Sequence, residues 1–166
     1  MTGFPRVPWD HEAYLQRVRA ACFLCETLAG NPDYRHHIAY RDEDALVLLS
    51  RMPWLLGHLL VAPVQHREHV ITDFTLDEYQ RLQRVVHAAG QALTEVVETE
   101  RLYLLSLGSQ QGNRHVHWHL APLPPGVPYH EQQLAALDSD RGYLAVPDPT
   151  MAELAGRIGA RLRELL

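Results

Sequence analysis

The stretch that decides the fold is His115-Val116-His117-Trp118-His119-Leu120-Ala121 (HVHWHLA). Histidine and apolar residues alternate along it, and successive side chains of a strand point to opposite faces of a sheet. The pattern therefore predicts a strand over 115–121 that carries three imidazoles on one face. Val116, Trp118 and Leu120 then face a core. Three imidazoles on one face are costly unless they are hydrogen-bonded or bound to metal.

The residues of this strand alone are compatible with three interpretations. The first is a surface strand that happens to be rich in histidine. The second is a metal site, because imidazole is a good ligand for zinc. The third is a nucleophilic imidazole that its neighbours orient, as in enzymes that form a covalent intermediate.

The segments around this strand predict alternating strands and helices. Thr75 and Glu78 form a capping box that opens a helix to about Val97, and a second capping box at Thr150 and Glu153 opens a helix over about 150–165. The other predicted elements are a helix over 11–29 and strands over 37–41, 45–50, 58–62 and 101–107. This order indicates an α+β fold with an antiparallel sheet of about five strands and flanking helices.

Two motifs together resemble the histidine triad (HIT) family. HVHWHLAP (115–122) is similar to the family's triad signature, and PWLLGHLLVAPVQH (53–66) is similar to its Gly-His segment. CFLC (22–25) is similar to the CxxC pair of many members, so the resemblance covers about residues 21–124. It implies a HIT-like fold, with a loose N-terminal arm (1–10), a HIT domain (11–124) and a C-terminal extension (125–166).

The resemblance also implies an activity. The middle histidine of the triad, His117 here, attacks the α-phosphorus of a nucleotide and forms a nucleotidyl-histidine intermediate. His119 and His58 correspond to histidines that line the phosphate site. The expected function is a nucleotide hydrolase or nucleotidyl transferase acting on a dinucleoside polyphosphate or a nucleoside phosphoramidate. The alternative is a nucleotide-binding protein with little catalytic activity.

By the same resemblance, five further residues belong to the nucleotide site. Gln111, Gly112 and Asn113 lie in the loop before the triad, where family members bind phosphoryl oxygens. Gly112 falls where several relatives carry serine. Ser50 stands where many members have an acidic residue that binds the ribose hydroxyls, so the charge-assisted part of that recognition is lost. Leu48 matches a position of the base pocket.

The CxxC pair implies a structural zinc. In members that carry it, the ligands correspond to Cys22, Cys25, His66 and His115 here. Cys2His2 is a closed tetrahedral set, which is typical of structural zinc sites. If instead the triad bound a catalytic metal, activity would require that ion. The family further implies a homodimer whose two sheets join edge to edge.

Composition excludes several other classes of function. The net charge of the 166 residues is −5, so no nucleic-acid partner is expected. All 15 basic residues are arginine, which rules out a lysine Schiff base. No apolar run is long enough to span a membrane, and the N-terminus has no apolar core of a signal peptide. The expected location is the cytoplasm, with both cysteines reduced.

Overall fold

A computed structural model describes residues 3–166, so the first two residues of the predicted arm lie outside the described part. The elements in chain order are β1 (Arg6–Val7), α1 (His11–Ala20), α2 (Phe23–Leu28), β2 (Ile38–Arg41), β3 (Ala45–Leu49), β4 (Leu59–Pro63), α3 (Leu76–Val96), β5 (Arg101–Ser106), β6 (Trp118–Leu123), β7 (Tyr143–Leu144) and α4 (Asp148–Leu165). Five of the strands form one antiparallel sheet in the order β2-β3-β4-β6-β5. The predicted α+β fold class is therefore confirmed.

Both faces of the sheet are covered at its centre. Every residue of β3 and β4 is buried, which explains why these strands are continuous apolar runs rather than alternating ones. One face packs against α3 and α4 through Val47, Leu49, Leu59 and Val61. The opposite face packs against Leu24 of α2 through Leu46, Leu48, Leu60 and Ala62.

The helix before β5 forms as its sequence predicts. Thr75 accepts a hydrogen bond from the backbone of Glu78, whose carboxylate accepts from the backbone of Thr75 in return. This reciprocal cap satisfies two of the amides that a helix start leaves without a partner. The buried stripe of α3 includes Leu82, Val86 and Leu93, so α3 is held to the sheet by apolar burial.

The predicted helix over 11–29 is wrong, because the chain forms two helices there. Ala21 is fully extended, at φ −157° and ψ 158°, and Cys22 is also extended as the N-cap of α2. Neither residue is a helix breaker, so the local sequence does not predict the break. The break turns α2 back across the sheet and carries both cysteines toward the histidines.

The predicted strand over 115–121 begins later than expected. β6 starts at Trp118, which pairs with Val61 of β4 and Ser106 of β5. β5 ends at Ser106, so no partner strand continues alongside 115–117. That segment is held instead by the Val116 amide, which donates to the Arg67 carbonyl at 2.7 Å.

The C-terminal helix begins at Asp148, and its N-cap is Pro147 rather than Thr150. The predicted capping box at Thr150 and Glu153 is therefore wrong. Proline in the first turn costs no hydrogen bond and fixes a suitable φ, so Pro149 favours the earlier start. α4 packs on the α3 side of the sheet, where Ile158 and Leu162 are fully buried.

The N-terminal arm is not loose in its described part. β1 pairs with β7 to form a separate two-stranded ribbon. The Arg6 guanidinium donates to the carbonyls of Gly142 at 2.8 Å and Trp54 at 2.9 Å. These bonds attach the N-terminal arm to the segment before β7 and to the loop between β3 and β4. Within residues 3–166 no helix is both long and apolar enough to cross a membrane.

Candidate active site and metal centre

His117 lies at the bottom of a cavity with one ring nitrogen fixed by the backbone. Its Nδ1 lies 2.7 Å from the carbonyl oxygen of His115. A carbonyl only accepts, so Nδ1 carries the proton and Nε2 keeps a free electron pair. The Ser106 hydroxyl donates to the His117 carbonyl at 2.8 Å, and the ring of Phe23 meets the imidazole edge-on at 5.6 Å. The ring is thus held in one tautomer and one orientation.

His58 and His119 form a hydrogen-bonded pair beside His117. The backbone amide of Trp54 donates to His58 Nδ1 at 3.4 Å, and His58 Nε2 lies 3.0 Å from His119 Nδ1. Because His58 Nδ1 accepts, its Nε2 carries the proton and donates to His119. His119 is then protonated at Nε2, which has no protein partner among the described residues. The Trp54 ring stacks on both imidazoles, at 4.5 and 5.0 Å between centroids.

These imidazoles are neutral at physiological pH. Burial, followed by the charge of His117, lowers the pKa of His58 to about 3. Burial also lowers the pKa of His117 and of His119. A neutral ring is the form that has a nucleophilic electron pair, so the burial of His117 favours attack rather than opposing it.

The cavity above His117 has a volume of about 520 Å³, a size suited to a small-molecule ligand. Its floor contains His58, His117 and His119, and the loop between β5 and His115 forms one side. His115 does not line this cavity, because its ring turns toward the cysteines. The predicted common face of three imidazoles is therefore divided between two sites.

The five nucleotide-site residues predicted from the resemblance have different positions. Ser50, Gly112 and Asn113 line the cavity. Leu48 does not, since it is fully buried against α2. Gln111 is exposed and is not part of the cavity wall. Both departures follow from local geometry, because Leu48 points to the α2 face and the tight turn over 109–112 directs Gln111 outward.

Glycine is needed at position 112 because of close packing, which the sequence alone does not show. A Cβ atom at Gly112 would lie 2.6 Å from Val18 of α1, so only glycine allows α1 to come this close. Next to it, the Asn113 side chain donates to the hydroxyl of Tyr14. α1 is thereby attached to the loop that precedes the triad.

The outer wall of the cavity was missed by sequence reasoning. Trp9 packs edge-on against Tyr14 and Tyr143, with centroids 4.9 and 5.9 Å apart. None of these residues belongs to a motif. Motif spacing also cannot predict contacts between residues that are more than 100 positions apart, such as Trp9 and Tyr143. Other cavity residues that the sequence did not indicate are His11, Arg17, Phe23, Tyr34, His36, Arg51, Met52 and Ser139.

The four predicted zinc ligands meet at one point. The ligand atoms of Cys22, Cys25, His66 and His115 all lie within 4.8 Å of one another. His115 Nε2 donates to the Pro63 carbonyl at 2.9 Å, so its Nδ1 is free and faces the sulfurs. His66 Nε2 likewise donates, to a carboxylate oxygen of Glu68 at 3.2 Å, which leaves its Nδ1 free.

These four residues fit a tetrahedral zinc ion. Ideal Zn–S and Zn–N bonds at the tetrahedral angle place sulfur and nitrogen about 3.5 Å apart. The observed separations are 3.5 Å for Cys22–His115, 3.3 Å for Cys25–His66 and 3.7 Å for Cys25–His115. Burial and the neighbouring Cys22 raise the pKa of Cys25 to about 11, so a cation is what would allow both sulfurs to be thiolates. The outer hydrogen bonds of the two imidazoles are those that metal-binding histidines usually make.

Comparison with known proteins identifies a family. The family model described as "HIT domain" matches residues 31–125. No protein with a curated description matches the chain.

Solved structures of similar fold cover most of the chain. A hypothetical histidine triad nucleotide-binding protein from Sulfolobus tokodaii is 23% identical, with a TM-score of 0.67 over 87% of this chain and 93% of its own. A zinc-bound histidine triad family protein from Mycobacterium smegmatis is 21% identical, with a TM-score of 0.65 over 89% and 96%. A HIT family hydrolase from Clostridium thermocellum is 21% identical, with a TM-score of 0.52 over 64% and 94%.

Proposed function

The chain belongs to the histidine triad family, and from this premise we propose that it is a nucleotide hydrolase or nucleotidyl transferase acting at an α-phosphate. The substrate is a nucleotide conjugate such as a dinucleoside polyphosphate or a nucleoside phosphoramidate. His117 is the nucleophile. The observation that carries the proposal is the free Nε2 of His117, held toward the cavity by the 2.7 Å bond from Nδ1 to the His115 carbonyl.

The proposed reaction has two displacements at phosphorus. His117 Nε2 attacks the α-phosphorus in line, a P–N bond forms, and the bond to the leaving group breaks with its electron pair. The imidazolium that results keeps its proton on Nδ1, which still donates to the His115 carbonyl, and this bond stabilises the positive charge. Water or another acceptor then attacks the phosphorus, the P–N pair returns to Nε2, and the acceptor's proton passes to solvent or to the departed group.

Two groups of donors are suited to bind the phosphoryl oxygens. The first is the Nε2–H of His119, whose tautomer follows from the His58 pair. The second is the loop that contains Gly112 and Asn113. Neutral donors that are already oriented stabilise developing charge without reorganising during the reaction. We place Ser50 at the nucleoside end, where its hydroxyl accepts from the Met52 amide at 3.3 Å.

We also propose that Cys22, Cys25, His66 and His115 hold a structural zinc ion. When bound, the ion supplies a cross-link between α2, the segment after β4 and the segment that leads into β6. His117 is two residues from His115, and its Nδ1 partner is the His115 carbonyl. The cross-link thus stabilises the position of the nucleophile and takes no part in the displacement.

We propose, finally, a homodimer formed along β5. β5 is an edge strand of the sheet, and Leu104 on it is 51% exposed. Leu107, directly after it, is 53% exposed. An apolar edge strand with free backbone groups is suited to pair with a second copy.

The nucleophile is tested by replacing His117 with alanine. Turnover of an adenosine phosphoramidate and of a dinucleoside polyphosphate should fall by at least about a thousandfold, since both displacements use Nε2. His130→Ala is the matched control, because His130 is an exposed histidine that does not line the cavity. Unchanged turnover in His117→Ala would remove His117 from its role.

The rival is a nucleotide-binding protein with little catalysis. Ser50 favours it, because a serine forms weaker bonds to ribose hydroxyls than a carboxylate does. Calorimetry with AMP, GMP and UMP, beside turnover of the matching phosphoramidates, separates the two. Micromolar binding of a mononucleotide without turnover of any conjugate would favour the rival.

A further inference from the structure

Two arginines of the cavity wall meet at one backbone carbonyl. Arg17 of α1 donates through Nη2 to the carbonyl oxygen of Asp33 at 2.7 Å. Arg51, directly after Ser50, donates through Nη1 to the same oxygen at 2.9 Å. The two guanidinium groups are therefore neighbours although they are 34 residues apart in sequence. Each uses one of its five N–H donors for this contact, so most of the donors remain available.

The positive charge of the pair is not compensated by protein. Neither Arg17 nor Arg51 forms a salt bridge within the part of the chain that the structure describes. Burial and the charge of Arg17 lower the pKa of Arg51. The Arg17 guanidinium lies 5.0 Å from the ring centroid of Tyr34, an uncharged partner. Two like charges held together without an anion are unfavourable, so the arrangement favours binding one.

The cavity shared with His117 has the same electrostatic character. None of its described lining residues is Asp or Glu, although the chain has 20 acidic residues and a net charge of −5. Arg17 and Arg51 are the only lining side chains with a permanent charge among the described residues. A series of contacts leads from Arg17 to the nucleophile: Arg17 lies over the ring of Tyr34, whose carbonyl oxygen is 2.7 Å from His36 Nδ1. His36 packs on Phe23 at 5.7 Å, and Phe23 packs on His117 at 5.6 Å.

The position of Arg17 is fixed by the packing of α1. Asp10 caps this helix by accepting from the Ala13 amide at 2.9 Å. Tyr14, three residues before Arg17, and Val18, directly after it, contact Asn113 and Gly112 of the loop before the triad. Arg17 is therefore presented to the cavity by a helix that is attached to the active-site loop.

We propose that Arg17 and Arg51 bind a second phosphate group of the substrate, distinct from the phosphate that His117 attacks. The inference rests on the proposed function and narrows its substrate class to nucleotides with at least two phosphates. Two sources have the required chemistry, a further phosphate of the 5′-chain and a phosphate on the ribose. Paired guanidinium groups with free N–H donors are suited to either.

The test compares the affinity of one and two phosphates by calorimetry. The ligands are AMP, the α,β-methylene analogue of ADP and adenosine 3′,5′-bisphosphate, with the guanosine and uridine series in parallel. One of the two diphosphorylated ligands should bind the wild type about tenfold or more tightly than the monophosphate, and that gain should decrease with salt. A gain for the ADP analogue would identify the 5′-chain as the source of the second phosphate. A gain for the 3′,5′-bisphosphate would identify the ribose phosphate.

The variants are Arg17→Gln, Arg51→Gln and the control Arg19→Gln. Arg19 lies on the same helix, is exposed and does not line the cavity. Arg17→Gln and Arg51→Gln should lose most of the tenfold gain while their affinity for the monophosphate and their Tm stay close to wild type. Arg19→Gln should keep the gain.

Three results would count against the proposal or its premise. Equal binding of one and two phosphates by the wild type overturns the inference, and so does a full gain in both Arg17→Gln and Arg51→Gln. A lower Tm with an undiminished gain would leave the pair a purely structural role. Failure of every mononucleotide to bind the wild type contradicts the proposed function itself, and the inference with it.

Discussion

At the scale of single residues, the site depends on which nitrogen of each imidazole carries the proton. Three backbone groups make this assignment: the carbonyls of His115 and Pro63 and the amide of Trp54. They leave His117 with a free Nε2, His115 with a free Nδ1, and His119 with a donor toward the cavity. Because backbone groups do not titrate, the tautomers are a property of the fold.

The buried pair of His58 and His119 predicts acid sensitivity. The pKa of His58 is lowered from 6.5 to about 3, so between these values the unfolded chain binds more protons than the folded one. The free energy of unfolding should therefore fall as pH falls below about 6.5, by up to about 1.4 kcal/mol per pH unit for each such group. Urea denaturation at pH 7, 6 and 5 measures the slope.

A variant isolates the contribution of His58. His58→Asn should show a shallower decrease over the same pH range, because asparagine cannot take up the proton. His130→Asn, at an exposed histidine, should keep the wild-type slope. Parallel slopes for wild type and His58→Asn would show that His58 does not titrate in this way.

Motif spacing correctly predicted which residues form the metal cluster. It did not predict the positions of residues whose place depends on tertiary packing. Cys22, Cys25, His66 and His115 were predicted to meet, and they do. Leu48 and Gln111 were transferred by position alone, yet one faces α2 and the other faces solvent. Arg17 could not be predicted, because its role depends on how α1 docks, and the sequence there shows only an ordinary helix.

At the scale of elements, the break between α1 and α2 organises both sites. A continuous helix over 11–29 would extend Cys22 and Cys25 in the direction of α1 and away from His66. The extended residues Ala21 and Cys22 let α2 lie on the sheet while α1 lies over the cavity. Strands and the α3 helix were predictable because local pattern and burial agree. This break was not, because tertiary contacts impose it on a segment of good helix formers.

The four-ligand cluster predicts one zinc ion per chain. Cys22→Ser should lose the ion and lower the Tm by about 10 °C or more, because a structural zinc contributes directly to folding. Atomic emission spectroscopy gives the stoichiometry, and differential scanning fluorimetry gives the Tm. His69→Ala removes an exposed histidine near the cluster and should change neither. A Cys22→Ser protein with full zinc content would contradict the ligand set.

Two glycines of α4 test how this helix meets the sheet. A Cβ at Gly159 would lie 2.1 Å from the carbonyl oxygen of Ala39 in β2, whereas a Cβ at Gly156 meets nothing within 4 Å. Gly159→Ala should therefore destabilise the protein by about 1–3 kcal/mol. Gly156→Ala should stabilise it by about 0.5–1 kcal/mol through helix propensity. Urea denaturation compares the two, and equal effects would contradict the close approach of α4 to β2.

At the scale of the whole molecule, the cavity is assembled from both ends of the chain. The floor belongs to the segment that matches the family, residues 31–125. Trp9, Tyr14 and Arg17 come from before that segment, and Tyr143 comes from after it. We therefore propose that substrate selection depends partly on residues outside the matched segment, besides Ser50 and Arg51 within it. The motifs predict the catalytic histidines and do not predict these outer residues.

The proposed dimer makes a prediction at the same scale. Leu104→Arg on β5 should convert the dimer to a monomer, because it buries a charge in the apolar edge contact. Size-exclusion chromatography with light scattering gives the mass. Leu76→Arg is the control, since Leu76 is also exposed, at 70%, but lies at the start of α3. A wild-type protein of 18.9 kDa in solution would contradict the dimer.

The role of His117 is tested by trapping the covalent intermediate. The protein is mixed with an excess of a nucleoside phosphoramidate and quenched in alkali within milliseconds to seconds, since phosphohistidine survives there, and peptides are mapped by mass spectrometry. We expect a nucleoside monophosphate attached at Nε2 of His117 in the peptide that contains this residue, and no adduct in His117→Ala. Turnover with no adduct on any histidine, or an adduct on His58 or His119 instead, would contradict it.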